Sequence, residues 1–244
     1  MKKLSFLFLG CIVTLLLTNC TGQYASAGSD LLTAATITNS DLVQLSKEMR
    51  DVGDKENTVP SSSNKYAQRL AKMTDKLKKE DGLDLNFKVY ITKDVNANAT
   101  ADGSIRVYSG LMDMMTDDEL FYVVGHEIGH VKNSDPLKQV RTAYLSSGVI
   151  KAAGASSKTI GSLTNTQLGD LLHTAVNAQY SQKAEYAADN YGYNLMKKYK
   201  VNTNGAVTAL YKIDSLGQSG GFLASHPNSA DRAKKLEELI KSGK

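Results

Sequence analysis

Apolar residues recur at helical spacing through most of this chain. Over residues 63–80, Tyr66, Leu70, Met73 and Leu77 share one face with Lys and Arg opposite, and Ser40 to Val52 repeats the spacing. Pro60 and the run Ser61-Ser62-Ser63-Asn64 separate the two segments and supply N-cap candidates. The period then shortens. Asn86-Phe87-Lys88-Val89-Tyr90-Ile91-Thr92 alternates and predicts a strand, residues 96–103 read as a loop, and Ile105-Arg106-Val107-Tyr108 reads as a second strand. Thr116-Asp117-Asp118-Glu119, ahead of Leu120, Val123 and Val124, is a capping box in which hydroxyl and carboxylate each satisfy a backbone N–H, so a helix begins at Asp117. Further helices are predicted over 136–153, 165–179, 182–200, 204–216 and 230–242, with Gly and Asn between them. Strands early and helices afterwards make this an α+β domain, mostly helical with a small sheet.

The amino terminus follows a different rule. Lys2 and Lys3 precede an apolar stretch from Leu4 to Leu17, about 14 residues, short of the roughly 20 that a permanent membrane span requires. That order of charge, apolar run and small residues is a secretory signal, assigned to residues 1–19. Leu17-Thr18-Asn19-Cys20 resembles a bacterial lipobox, and Ala25-Ser26-Ala27 resembles an ordinary cleavage site. Lipidation at Cys20 is the preferred reading, because Cys11 leaves with the signal and acylation gives the remaining cysteine a purpose. Residues 20–39, small and polar, then form the lipidated N-terminus and a flexible tether, and 40–244 the folded domain. The expectation is an exported outer-membrane lipoprotein facing the periplasm and held to the membrane by its lipid anchor. The alternative is a soluble periplasmic protein cut after Ala27.

Composition narrows the function classes. A length of 244 residues with 41% hydrophobic positions supports one domain that can bury its own core without disulfides. The formal charge of +4 is small and its Lys residues are scattered, which excludes a polybasic nucleic-acid footprint. The apolar segment 144–153 contains Ser146, Ser147, Gly148 and Lys151 and is too short to span, so it reads as a buried or interface helix.

The chemistry sits in His126-Glu127-Ile128-Gly129-His130, inside the helix that starts at Asp117. Histidines at i and i+4 project from one face, one turn apart, and together grip one metal ion, while Glu127 reaches a water on that metal without ligating it. Three protein ligands with an open fourth position define a hydrolytic zinc site. Glu185-Tyr186-Ala187-Ala188-Asp189 on a later helix offers the third ligand: Glu185 binds the metal, and Asp189, one turn on, accepts a hydrogen bond from the far nitrogen of a ligand histidine. A solvated acidic face is the competing reading of this motif, countered by the apolar Ala184, Ala187, Ala188, Tyr191 and Leu195 on the same helix. His173, among Leu171, Leu172 and Val176, reads as a packing residue outside the site.

Asn96-Ala97 with Ala99, the run Asp102 to Met112, the H-E-x-x-H helix, the E-x-x-x-D helix, and Ser225-His226-Pro227 with Arg232 occur in the order found in a known family. Over residues 40 to 240 the chain resembles the HtpX-like and CAAX prenyl endopeptidase family of gluzincin metallopeptidases, most closely its bacterial periplasmic lipoprotein branch. The resemblance implies a zincin-like domain whose sheet edge lines the active-site cleft, and one Zn²⁺ per chain held by His126, His130 and Glu185. It implies Glu127 as general base and Asp189 as support for a ligand. The strand Ile105, Arg106, Val107 and Tyr108 is expected to pair with extended substrate by β-augmentation. His226 has three readings: donor to the oxyanion, occupant of the open metal position, or a surface residue shaping a turn before Pro227. Arg232 is expected to anchor that segment through a carboxylate.

These features lead to a zinc endopeptidase of the bacterial envelope whose substrates are unfolded or misassembled envelope proteins, with no nucleic-acid partner. Two rivals are a latent zinc-binding, chaperone-like envelope protein and a zinc amidase acting on cell-wall peptides.

Overall fold

The computed structural model describes residues 37–147, 160–217 and 221–242. The signal, Cys20 and most of the tether, and the end of the helix expected over 136–153, lie outside the described residues.

Helix α1, Asn39–Glu56, opens on a capping box between Thr38 and Asp41. Helix α2, Lys65–Thr74, starts where Asn64 Oδ1 accepts the Tyr66 N–H at 2.9 Å. The expected helix to residue 80 is shorter: 3₁₀ turns follow at Asp75–Leu77 and Glu80–Gly82, and Asp81 (φ 50°) and Gly82 (φ 77°) turn the chain out of helix. Strands β1 (Asn86–Tyr90), β2 (Ala97–Ala99) and β3 (Ser104–Tyr108) form one sheet in the order β1-β3-β2, with β1 parallel and β2 antiparallel to β3.

That order corrects the sequence reading in two places. Residues 96–103 are not all loop, since Ala97-Asn98-Ala99 is a strand too short and too poor in β-branched residues to register as one. The strand containing Ile105, Arg106, Val107 and Tyr108 is central, so both of its edges are taken by β1 and β2 and it has no backbone groups to offer a peptide. On the α4 side the sheet ends in β2, whose Ala97 and Ala99 are buried. Arg106 is equally committed: it is 1% exposed and donates from Nε and Nη2 to Asp54 Oδ1 and Oδ2 at 2.7 and 3.0 Å, tying the sheet to α1.

A short helix α3 (Ser109–Met114) leads to α4 (Asp117–Lys132), which begins as the capping box requires: Thr116 N donates to Glu119 Oε2 at 2.7 Å and Glu119 N to Thr116 Oγ1 at 3.4 Å. Then come α5 (Asp135–Ser146), α6 (Asn165–Val176), α7 (Gln182–Tyr199), α8 (Asn204–Asp214), the single turn α9 (Phe222–Ser225) and α10 (Ser229–Ser242). The main core joins the sheet to α2, α3, α4, α7, α8 and α10, and every residue from Glu119 to His130 is buried. A second cluster joins α1, α5 and α6 through Leu42, Leu45, Met49, Val140, Tyr144 and Leu171. His173 does not pack there. Leu171 and Ala175 take the inner face of α6, which leaves the His173 side chain exposed. Among the described residues no helix is long and apolar enough to cross a membrane.

Candidate active site

The site depends on how closely α4 and α7 approach. A Cβ at Gly129 would stand 2.9 Å from Ala188 Cα, and one at Gly125 would stand 3.0 Å from Gly192 Cα, so small residues on both helices let the backbones meet. Across that contact α4 presents His126 and His130 and α7 presents Glu185. The two Nε2 atoms are 3.0 Å apart; Glu185 Oε1 is 3.3 Å from His130 Nε2, and Glu185 Oε2 is 3.7 Å from His126 Nε2. His226, which follows α9, brings Nδ1 to 3.2 Å from His126 Nε2 and 3.1 Å from Glu185 Oε1. The turn reading of His226 is therefore corrected: its ring is buried in the centre, stacked on Phe222 at 4.0 Å between centroids.

One donor atom from each of His126, His130, Glu185 and His226 lies within 4.8 Å of the others, and all four residues are buried. With Nδ1 of each of His126 and His130 against a carboxylate, both Nε2 atoms face the centre, where a cation can take a lone pair from every donor at once. The nitrogen and carboxylate donor set fits a divalent metal.

A ring of carboxylates supports the histidines. Asp189 Oδ1 lies 2.9 Å from His126 Nδ1 and accepts from Tyr122 OH at 2.6 Å, and Arg232 donates to both Asp189 oxygens, Nε to Oδ2 at 2.8 Å and Nη2 to Oδ1 at 2.6 Å. Arg232 Nη1 also pairs with Glu185 Oε2, so the arginine does anchor its segment through carboxylates. Asp135 Oδ2 lies 3.1 Å from His130 Nδ1, and Tyr180 stacks on the His130 ring at 3.8 Å and 12°. Asp135, Tyr122, Tyr180 and Phe222 are neighbours that the motifs do not reveal. The available signal was Asp135-Pro136, a helix start five residues after His130.

Charge follows burial and pairing. Burial pushes the Glu127 carboxyl up from the ordinary glutamate value, and neither of its oxygens has a hydrogen-bond partner. His226 Nε2 lies 3.5 Å from its Oε1. Burial opposes ionisation of Asp189, yet Arg232 outweighs it and holds the carboxyl well below the usual range. Glu185 is held down against burial by His226 and Arg232. Burial, reinforced by the Arg232 charge, lowers His126 to about 3. For His130 burial also disfavours the charge, but hydrogen bonds to Asp135 and Glu185 prevail and raise it to about 9.

Residues 62–240 match the model of peptidase family M48. Metalloprotease YcaL of Escherichia coli K12 is 37% identical over the full length of both chains. Metalloprotease LoiP of the same organism is 35% identical over 98% of this chain and 97% of its own, and a protease HtpX homologue of Salinibacter ruber is 26% identical over 71% and 75%. With a buried His-His-Glu donor set on two tightly packed helices, this chain belongs to peptidase family M48 and is a metalloendopeptidase.

Proposed function

We propose that the protein is a zinc-dependent endopeptidase of the bacterial envelope that cleaves unfolded or misassembled proteins, with Glu127 as general base. The observation that carries this reading is the pairing of the His126-His130-Glu185 cluster with a neighbouring carboxylate, Glu127, whose two oxygens are buried and unpartnered. Zinc held by His126, His130 and Glu185 supplies Lewis acidity, which acidifies water and polarises a carbonyl. Glu127 takes the proton of the attacking water and passes it to the departing amine nitrogen. Its raised pKa suits the first transfer, because a more basic carboxylate removes a proton more readily.

Substrate is held extended along β2. Tyr108 N donates to Asn96 O at 3.0 Å and Thr100 N to Ser104 O at 2.9 Å, so the alternation of an antiparallel ladder turns the Asn98 backbone towards β3 and that of Ala99 outward, while Ala97 N donates to Asn96 Oδ1 at 2.9 Å. Backbone pairing at that edge tolerates many side chains, which favours unfolded chains as substrates.

Export and anchoring rest on the signal pattern of residues 1–19 and on acylation of Cys20 in the outer membrane, with membrane contact through the lipid. Intact mass of the membrane-extracted protein tests this: an acylated Cys20 terminus supports it, and a terminus at Gly28 replaces it with the soluble periplasmic form. For the chemistry, Glu127→Gln is expected to abolish cleavage of unfolded casein while zinc remains bound. Persistent cleavage in that variant removes Glu127 from the role.

The contact of His226 Nδ1 with both His126 and Glu185 favours a second reading, a latent form in which His226 takes the fourth donor position. His226→Ala is then expected to gain peptidase activity. Equal and zero activity in wild type, Glu127→Gln and His226→Ala favours the chaperone-like protein instead.

A further inference from the structure

We propose that Asp135 is a positioning residue for the second metal-binding histidine: its carboxylate accepts a hydrogen bond from His130 Nδ1 and thereby fixes the ring and the tautomer whose Nε2 lone pair faces the metal centre. The inference rests on the zinc reading above and extends it to a residue outside both helical motifs.

A sharp corner in the chain makes this contact. Helix α4 ends at Lys132, Ser134 takes the left-handed conformation (φ 57°, ψ 29°), and α5 begins at once with Asp135 and Pro136. A non-glycine residue in that region costs on the order of 1 kcal/mol, so the corner is held by the packing around it. Its effect is to return a residue five positions beyond His130 to the Nδ1 side of the ring, opposite the Nε2 that faces the metal centre. Asp135 Oδ2 then lies 3.1 Å from His130 Nδ1, and Oδ1 accepts from Lys138 Nζ at 2.7 Å. Asp135 is 5% exposed, whereas its other partner Lys138 lies on the surface. An ionised carboxylate only accepts, so the shared proton belongs to Nδ1 and the lone pair to Nε2. With Tyr180 stacked on its face at 3.8 Å, the His130 ring is constrained in both tilt and rotation.

His126 has an equivalent partner in Asp189, but the two carboxylates differ. Asp189 divides its acceptance among Tyr122, Arg232 and His126, whereas Asp135 serves only Lys138 and His130 among the bonds seen here. Asp135 is therefore the carboxylate more fully devoted to its histidine.

The test measures zinc affinity of the purified protein by competition with a chromogenic chelator, alongside the thermal midpoint of the metal-free form. Wild type is expected to bind one zinc. Asp135→Ala is expected to weaken binding about 10–100-fold, the range for loss of such a support, and by more than any fall in the metal-free midpoint accounts for. Asp135→Asn keeps an acceptor oxygen and is expected to recover most of the affinity. In the zinc-loaded wild type the His130 Nδ1 proton should give a slowly exchanging downfield NMR signal that Asp135→Ala removes. Wild-type zinc affinity in Asp135→Ala overturns the proposal. So does an equal loss in Ala and Asn variants that tracks a fall in the metal-free midpoint, because Asp135 then supports only the fold. Failure of wild type itself to bind zinc is a separate result, which rejects the zinc reading.

Discussion

Arg232 holds Asp189 in a two-pronged grip, with Nε on Oδ2 at 2.8 Å and Nη2 on Oδ1 at 2.6 Å, and both residues are buried. The third guanidinium nitrogen pairs with Glu185, so one cation from α10 neutralises two carboxylates on α7. Removing it leaves two desolvated carboxylates without the arginine that pairs with both. Arg232→Met is expected to destabilise the fold by about 3–5 kcal/mol in urea unfolding. Arg232→Lys restores charge but not the planar fork and should recover only part of that loss. A Met variant as stable as wild type rejects this account of the network.

Gly129 should not tolerate even a methyl group. Alanine normally favours a helix over glycine by about 1 kcal/mol, which argues for stabilisation. Overpacking opposes it at about 1–3 kcal/mol, and here it wins, because the new Cβ would stand 2.9 Å from the Cα of Ala188, an atom that cannot rotate away. Gly129→Ala is therefore expected to lower the thermal midpoint and weaken zinc binding together. Both effects share one cause, the separation of His130 from Glu185.

The outward-facing edge of β2 makes a kinetic prediction. Ala99→Pro removes one N–H from the outer side of β2 and leaves the Asn98 pairing with Arg106 in place. Loss of about 1 kcal/mol of backbone hydrogen bonding corresponds to roughly a fivefold rise in KM for an extended peptide, with kcat little altered. An unchanged KM in a folded variant removes β2 as the substrate strand.

Acid stability should depend on Asp54. Burial opposes its ionisation, but hydrogen bonds from Arg106, Lys88 and Tyr90 hold its carboxyl down at about 2. A carboxyl depressed in the folded state contributes stability that is complete above its unfolded pKa of roughly 3.9 and is lost as pH falls towards the folded value. The stability difference between wild type and Asp54→Asn should accordingly stay constant from pH 7 to about pH 5 and shrink as pH falls from about 4 to 2. Urea titrations across that range measure it.

Local patterns in the chain were sufficient to determine the helix from Asp117 and the face it offers. Thr116 and Glu119 start the helix through bonds between near neighbours, and the i, i+4 spacing places His126 with His130 and Glu185 with Asp189 whatever surrounds them. Contacts between residues far apart in sequence were decided only by the tertiary structure. Docking of α4 on α7 through Gly129 and Ala188 brings Glu185 to the two histidines. Folding of the α9 segment turns His226 from a turn residue into a neighbour of the metal ligands. The sheet order makes β3 central and leaves its edge role to β2, because a strand's alternation shows which way its side chains alternate but not which strands will flank it. Asp135 lies between these cases: it is close to His130 in the chain, yet it reaches the ring only because a left-handed Ser134 and the packing of α5 turn the backbone there.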